Sequence, residues 1–241
     1  MKRHILKIIV VFVIVFSLTQ CSEDQAETLV EPEVVTVTDA DGNVYRTVTL
    51  GDQTWMLENL KTTKFNDGTP IEEYTPGENW NGEGRTLPLF QWASTLDLNN
   101  SFDEELPRDF YGAMYNHAAI ESGKLAPEGW RIPSEQDWIQ LRNFLASNGH
   151  LGIEGLALKS ASGWVDSSGN GNNAFEFNGL PNGYVDAVGT PKADGIICTW
   201  ATSNFDAANF RRRVIGLFDV NEMLFQDQSM LLGSGIRCVK N

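Results

Sequence analysis

The chain has 241 residues, of which 32 are acidic and 18 are basic, so its formal net charge is −14. A field of this sign repels nucleic acid and anionic lipid headgroups, which excludes them as partners and favours neutral molecules, cations or basic proteins. The excess of acidic residues is also compatible with an exposed protein that needs the charge only for solubility. The length is sufficient for one substantial hydrophobic core.

The N-terminus has the organisation of an export signal. Three basic residues within 2–7 precede an apolar stretch at 8–18, which is too short to span a bilayer. The sequence LTQC at 18–21 then fits a lipobox, in which cleavage leaves Cys21 as a lipidated N-terminus. An ordinary secretory signal with an incidental cysteine is the alternative. We predict a signal peptide at 1–20 and a lipid-anchored outer-membrane protein at the cell surface.

An acidic, polar segment follows the cysteine. It covers residues 21–33, contains five carboxylates and is stiffened by Pro32. This composition indicates a solvated tether, and it also resembles a surface-export signal. No linker-like break divides the rest of the chain. We therefore predict a tether at 21–33 and one globular domain at 34–241.

The domain begins with a pattern typical of a β-hairpin. Residues 34–38 and 44–50 alternate β-branched and polar side chains, and an Asp-Gly turn at 41–42 separates them. A third strand is predicted at 54–57. The segment 61–110 is rich in turn residues and has no clear period, so we predict it to be irregular.

Two helices are predicted. Residues 111–121 place small and apolar side chains on one face, and residues 135–147 form the clearer helix. Ser134 and Asp137 form a capping box at its start. Its buried stripe consists of Trp138, Leu141 and Leu145.

Short strands return in the last third of the chain. They are predicted at 175–177, 183–185, 196–200, 213–218 and 235–239. Together these elements indicate an α+β domain with short antiparallel strands, about two helices and long irregular loops.

Two cysteines remain after Cys21. Cys198 and Cys238 both lie in short apolar runs. In an exported protein an even pair predicts a disulfide, which would stabilise the fold by about 4 kcal/mol on the chain-entropy model. Two separate buried thiols are the alternative.

Several blocks of sequence resemble one known family. They are DGNVY at 41–45, WMLENL at 55–60, YGAMYN at 111–116, GWRIPS at 129–134, LPNGY at 180–184 and GIRCV at 235–239. In this order they closely resemble the Fibrobacter succinogenes major paralogous domain family, and the resemblance covers nearly all of the chain from about residue 36.

The resemblance implies a C-type-lectin-like core, distantly similar to the formylglycine-generating enzyme family, and an exported location. It implies no defined activity. The family commonly has a cysteine where this chain has Ala126. Cys198 is then a candidate replacement partner for Cys238.

Catalysis is poorly supported by the residues. His117 and His150 lie in no recognisable nucleophile context, and neither Cys198 nor Cys238 matches an oxidase motif. We therefore predict a protein that is not an enzyme, with an oxidase of the formylglycine-generating type as the weaker alternative.

No cofactor is predicted. Calcium is the alternative, because the sequence DADGN at 39–43 superficially resembles a calcium loop. The position of its glycine fits a hairpin turn better. Further carboxylate and amide clusters at 166–173 and 204–206 are more typical of turns.

Tryptophan is the strongest pointer to a ligand. An exposed indole beside amide and carboxylate groups is a common carbohydrate site, and Trp80, Trp92 and Trp164 lie in irregular, polar surroundings. Core packing is the alternative. We predict non-catalytic binding of a polysaccharide or a protein partner, with a structural role in the envelope as the second class of function.

Overall fold

The structure is a computed structural model that describes residues 35–95, 105–165, 169–193 and 195–241. The predicted signal peptide, lipidation site and tether lie outside these residues. About 15% of the described residues are helical and 31% are in strands, and nearly all strand pairs are antiparallel, so the predicted α+β class is confirmed. None of the helices in the described part is long and apolar enough to cross a membrane.

Short strands and three short α-helices are the main regular elements of the described part of the chain, and irregular loops connect them. The strands are β1 (Thr36–Thr38), β2 (Val44–Leu50), β3 (Gln53–Met56), β4 (Glu72–Glu73), β5 (Leu89–Trp92), β6 (Ala113–Tyr115), β7 (Trp130–Arg131), β8 (Tyr184–Val185), β9 (Pro191–Lys192), β10 (Cys198–Asp206), β11 (Arg211–Leu217), β12 (Leu224–Ser229) and β13 (Val239–Lys240). The helices are α1 (His117–Glu121), α2 (Glu135–Leu145) and α3 (Glu154–Leu158).

These strands form four small sheets. The largest has the order β1-β2-β3-β13-β7, so the first and last strands of the domain share one sheet. A second sheet has the order β10-β11-β12 and a third the order β4-β5-β6, while β8 pairs with β9. Only β4 and β5 run parallel among these pairs.

The predicted N-terminal hairpin is confirmed. β1 pairs antiparallel with β2, and β2 continues into β3 through a tight turn. The Asp39 carboxylate accepts hydrogen bonds from the backbone N–H groups of Asp41 and Asn43, which fixes the connection between β1 and β2. Gly42 has a φ of 85°, a conformation that glycine adopts without strain.

Helix α2 is also confirmed, with its cap. The Ser134 side chain accepts from the Asp137 backbone N–H, and the Asp137 carboxylate accepts from the Ser134 backbone N–H. The α-helix ends at Leu145, two residues earlier than predicted. A wider turn over Ala146–His150 follows, in which Gly149 has a φ of 88°. The predicted stripe is fully buried and consists of Trp138, Leu141 and Leu145.

The predicted helix at 111–121 is wrong in its first half. Met114 and Tyr115 belong to β6, which pairs with β5. Helix α1 begins only at His117, where the Asn116 side chain caps it by accepting from the Ala119 backbone N–H. The sheet pairing of the buried segment overrides its helical pattern.

The predicted strand at 175–177 is also wrong. Glu176 and Asn178 both have positive φ values, of 58° and 52°, so the chain turns at each side of Phe177. The sequence patterns also left out helix α3, which is short, and strand β12, which is only partly buried.

A buried arginine joins the sheets. Arg237 is 1% exposed. Its Nε and Nη2 donate to Oδ1 of Asn59 at 3.0 and 2.7 Å. Its Nη1 donates to the carbonyls of Met56, Leu57 and Phe177. Burial lowers the pKa of Arg237 to about 10, which leaves it charged at neutral pH.

Aromatic rings enclose this guanidinium. The carbon Cζ of Arg237 lies 4.9 Å from the ring centre of Phe177 and 5.2 Å from that of Trp200, within the range of cation–π attraction. The Trp200 indole N–H donates to the same Oδ1 of Asn59 at 2.7 Å. One amide oxygen therefore serves two side chains from distant parts of the chain.

The structure contradicts the expected disulfide between Cys198 and Cys238. Both are free and fully buried. Cys198 packs in the cluster that contains Trp138, whereas Cys238 packs in the cluster that contains Tyr45. Burial raises the pKa of Cys238 to about 12 and that of Cys198 even higher, so both remain thiols at neutral pH. The alternative of two separate packed thiols describes this structure.

The arginine network generates a stability prediction. Replacement Asn59→Leu removes the acceptor for Nε and Nη2 of Arg237 and leaves a buried charge partly unsatisfied. We expect the free energy of unfolding to fall by about 3 kcal/mol. Urea denaturation measures it, with the exposed helix position Asn143→Leu as the matched control. Equal effects of the two substitutions would contradict the role given to Asn59.

The carboxylate of Asp137 predicts a dependence of the free energy of unfolding on pH. Burial raises its pKa, but hydrogen bonds from Arg131 and Ser134 outweigh burial, so the pKa lies below its usual range. The resulting stabilisation is complete above the unfolded pKa of about 3.9 and is lost as the pH falls through the folded pKa. We expect Asp137→Asn to cost about 1 kcal/mol at pH 7 and much less at pH 2.

Urea unfolding at both pH values measures the difference between wild type and Asp137→Asn. Asp52→Asn, which removes the same charge at an exposed turn, is the control. A difference that stays the same from pH 7 to pH 2 would rule out the ionised carboxylate as its source.

Candidate functional site

Two of the three predicted ligand-binding tryptophans are core residues. Trp80 is 0% exposed and packs edge-on against Tyr74, with ring centres 5.4 Å apart. Trp164 is 2% exposed, and its indole N–H donates to the Ser160 hydroxyl at 3.1 Å. Neither ring can stack on a sugar, so these two predictions are wrong. The backbone around both residues is irregular, but other segments of the chain cover their rings.

Trp92 alone of the three is half-buried. It is the last residue of β5, where it pairs with Ala113 of β6. Its ring contacts Phe90 edge-on, with centres 5.4 Å apart, which holds the indole in one orientation. The indole N–H of Trp92 makes no hydrogen bond with any residue that the structure describes.

A groove opens beside this indole. Its volume is about 350 Å³, and we call it the Trp92 groove. Its walls combine an aromatic surface with charged and amide groups, and they include Glu73, Tyr74, Gln91, Trp92, Thr95 and Arg108.

An ion pair and two hydrogen bonds to backbone carbonyls hold the polar side chains of the Trp92 groove in place. Arg108 pairs with Glu73, and its guanidinium carbon lies 5.7 Å from the Trp92 ring centre. The Gln91 amide donates to the Gly189 carbonyl at 3.2 Å, and the Tyr74 hydroxyl donates to the Val188 carbonyl at 3.0 Å. Such preformed contacts reduce the entropy cost of binding a ligand.

Sequence patterns identified Trp92 but not its neighbours. Glu73 and Arg108 are 35 positions apart in a segment without periodicity, and only the fold brings them together. The short strand β4, which carries Glu73, gave no recognisable signal.

The two histidines of the domain pack against phenylalanine rings. His117 lies 4.4 Å from Phe205 between ring centres, and its Nδ1 accepts from Arg212 at 3.1 Å. Burial, with help from the Arg212 charge, lowers the pKa of His117. His150 lies 4.9 Å from Phe175. Neither contact includes a serine or cysteine nucleophile.

The segment at 39–43 uses its carboxylates within the hairpin. Asp39 also accepts from the Tyr45 hydroxyl at 2.6 Å. Asp41 accepts from the backbone and hydroxyl of Thr63 and pairs with Lys64 at 3.1 Å. This arrangement supports a turn rather than a calcium loop. In the described ranges, no three His, Cys, Asp or Glu side chains group in a way that could hold a metal ion.

Short antiparallel sheets around a buried aromatic core, with a groove at the surface, define a small α+β domain. The chain belongs to the Fibrobacter succinogenes major domain family, whose sequence profile matches residues 48–240. This confirms the family resemblance. No curated protein and no solved structure matches the chain.

Proposed function

We propose that this protein is an exported envelope lipoprotein whose domain binds a polysaccharide at the Trp92 groove without catalysing a reaction. The observation that carries the proposal is the half-buried indole of Trp92, which presents an oriented aromatic face next to charged and amide groups. Sugar rings stack on such faces through their C–H groups, while their hydroxyls bond to neighbouring polar groups.

The proposed fold is a C-type-lectin-like core. It is supported by the family resemblance, by the short antiparallel strands and by the meeting of β1 and β13 in one sheet. The proposal assigns the contacts with the sugar to protein groups, among them Trp92, Arg108 and Glu73.

The proposed location is the outer face of the outer membrane, through a lipid on Cys21. It is supported by the basic, apolar and LTQC segments at 1–21 and by the acidic residues that follow. The negative charge of the domain does not oppose this location, because the lipid, and not the charge, attaches the protein to the membrane.

Metabolic labelling tests the proposed lipid anchor at Cys21. In cells fed a clickable fatty acid, the full chain should incorporate the label, and Cys21→Ser should abolish it while the protein is still produced. Cys238→Ser, which changes a buried thiol, should keep the label. Label in the Cys21→Ser protein would show that the lipid is attached elsewhere and overturn the assignment.

The Trp92 groove is tested on a polysaccharide and glycan array with the full chain in detergent, with and without calcium. For at least one ligand on the array, we expect Trp92→Ala to weaken binding by about tenfold, because stacking area is lost. Trp92→Phe should retain most of the affinity, since it keeps an aromatic face.

Phe210→Ala is the matched control, because Phe210 is an aromatic residue with 55% exposure outside the groove. Equal affinities of Trp92→Ala and wild type for every ligand would show that the ligands bind outside the Trp92 groove. A blank array under both conditions would favour the scaffold role over glycan binding.

A further inference from the structure

A second groove lies on the sheet β10-β11-β12. One face of this sheet sends Trp200, Ile215 and Leu217 into the core. On the other face Val214 lies opposite Gln226. A groove of about 320 Å³ opens over this face, and we call it the sheet groove. Its lining includes Tyr184, Arg211, Phe218, Gln226, Asp227 and Gln228.

The sheet groove contains side chains without internal partners. The Tyr184 hydroxyl, the Gln226 amide and the Arg211 guanidinium make no hydrogen bond or ion pair with any residue that the structure describes. Gln228 accepts from the Ser234 hydroxyl at 3.0 Å through its oxygen, which leaves its amide nitrogen free to donate. Donors and acceptors are thus both present in the groove.

One other surface cavity differs in this respect. A cavity of about 390 Å³ above Asn59 is lined by the ion pairs Arg46–Glu58 and Lys61–Asp109, with N···O distances of 2.7 and 2.5 Å. Its charged groups already satisfy one another. A ligand would have to break those pairs, whereas in the sheet groove it would replace only water.

Apolar surface accompanies these polar groups. Phe218 and Tyr184 are both half-buried and line the groove. Gly216 lies beneath the Phe218 ring, and a Cβ at this position would come within 2.2 Å of the ring. The absence of a side chain at Gly216 therefore allows Phe218 to lie against the strand as part of the groove surface.

The charges of the groove favour an uncharged ligand. Arg211 carries one positive charge and Asp227 one negative charge, and Asp227 is already paired with Arg213 at 3.4 Å. Asp206 lies opposite Arg211 in the sheet, and its carboxylate accepts a hydrogen bond from the Asn209 side-chain amide. The net charge of −14 repels polyanions, so a lone guanidinium does not make this an anion site.

We propose that the sheet groove is a second binding site, for a neutral oligosaccharide. Amide groups and a phenol can both donate to and accept from sugar hydroxyls, and the rings of Tyr184 and Phe218 supply the apolar face that a pyranose covers. Arg211 donates to hydroxyls at the end of the groove. The site is independent of the Trp92 groove and does not require that groove to bind a ligand.

The test uses the full chain in detergent and isothermal titration with neutral hexaoses of glucose, xylose and mannose, with hexagalacturonate as the anionic probe. At least one neutral hexaose should bind, and hexagalacturonate should bind more weakly. Gln226→Ala should reduce the affinity about fivefold to tenfold, the effect of one or two lost hydrogen bonds. Tyr184→Phe should reduce it by a smaller factor.

Gln226 is exposed, so its replacement should leave folding intact, and Gln140→Ala on the exposed face of α2 is the matched control. Trp92→Ala should leave this affinity unchanged, which separates the two sites. Loss of all binding in Trp92→Ala alone would overturn the sheet groove and leave the Trp92 groove standing. Preference for hexagalacturonate, an equal effect of Gln140→Ala, or no binding of any hexaose would also overturn it.

Discussion

The domain depends on satisfying one buried charge that has no carboxylate partner. Isolated burial of a guanidinium is costly unless each of its donors finds an oxygen. Arg237 finds them in Asn59 and in three backbone carbonyls, and its faces are covered by Phe177 and Trp200. Each of these acceptors must stay in position for the charge to remain buried. The requirement therefore joins the end of β3, the turn around Phe177, strand β10 and the segment before β13.

This constraint explains an irregular part of the backbone. Phe177 lies between Glu176 and Asn178, which both adopt positive φ values that non-glycine residues rarely use. The turn directs the Phe177 carbonyl to Arg237 and its ring to the same guanidinium. Local strain is thus offset by the arginine contacts and by packing in the aromatic core. Loops built on so rigid a base can hold ligand-binding groups in fixed positions.

Features that depend on neighbouring residues could be predicted from the sequence. The β1-β2 hairpin follows from its Asp-Gly turn and alternation, and the α2 cap follows from Ser134 and Asp137 three positions apart. The arginine network could not be predicted, since Arg237 is 178 residues from Asn59 and 60 from Phe177. The same limit explains the errors at Trp80 and Trp164. Polar neighbours in sequence did not reveal that distant segments, such as Gly233 against the Trp80 ring, bury these indoles.

The charge distribution connects the fold to the proposed ligands. Basic side chains of the domain are largely used in pairs with carboxylates, as in Lys61–Asp109, Lys64–Asp41 and Lys124–Asp67. The remaining surplus of acidic residues repels anionic polymers. At physiological salt this repulsion is largely screened at distances beyond about 8 Å. An uncharged sugar is not affected by that field. Its affinity must come from short-range contacts, and these are the contacts that an oriented indole in one groove and the unpartnered Gln226 amide in the other can provide.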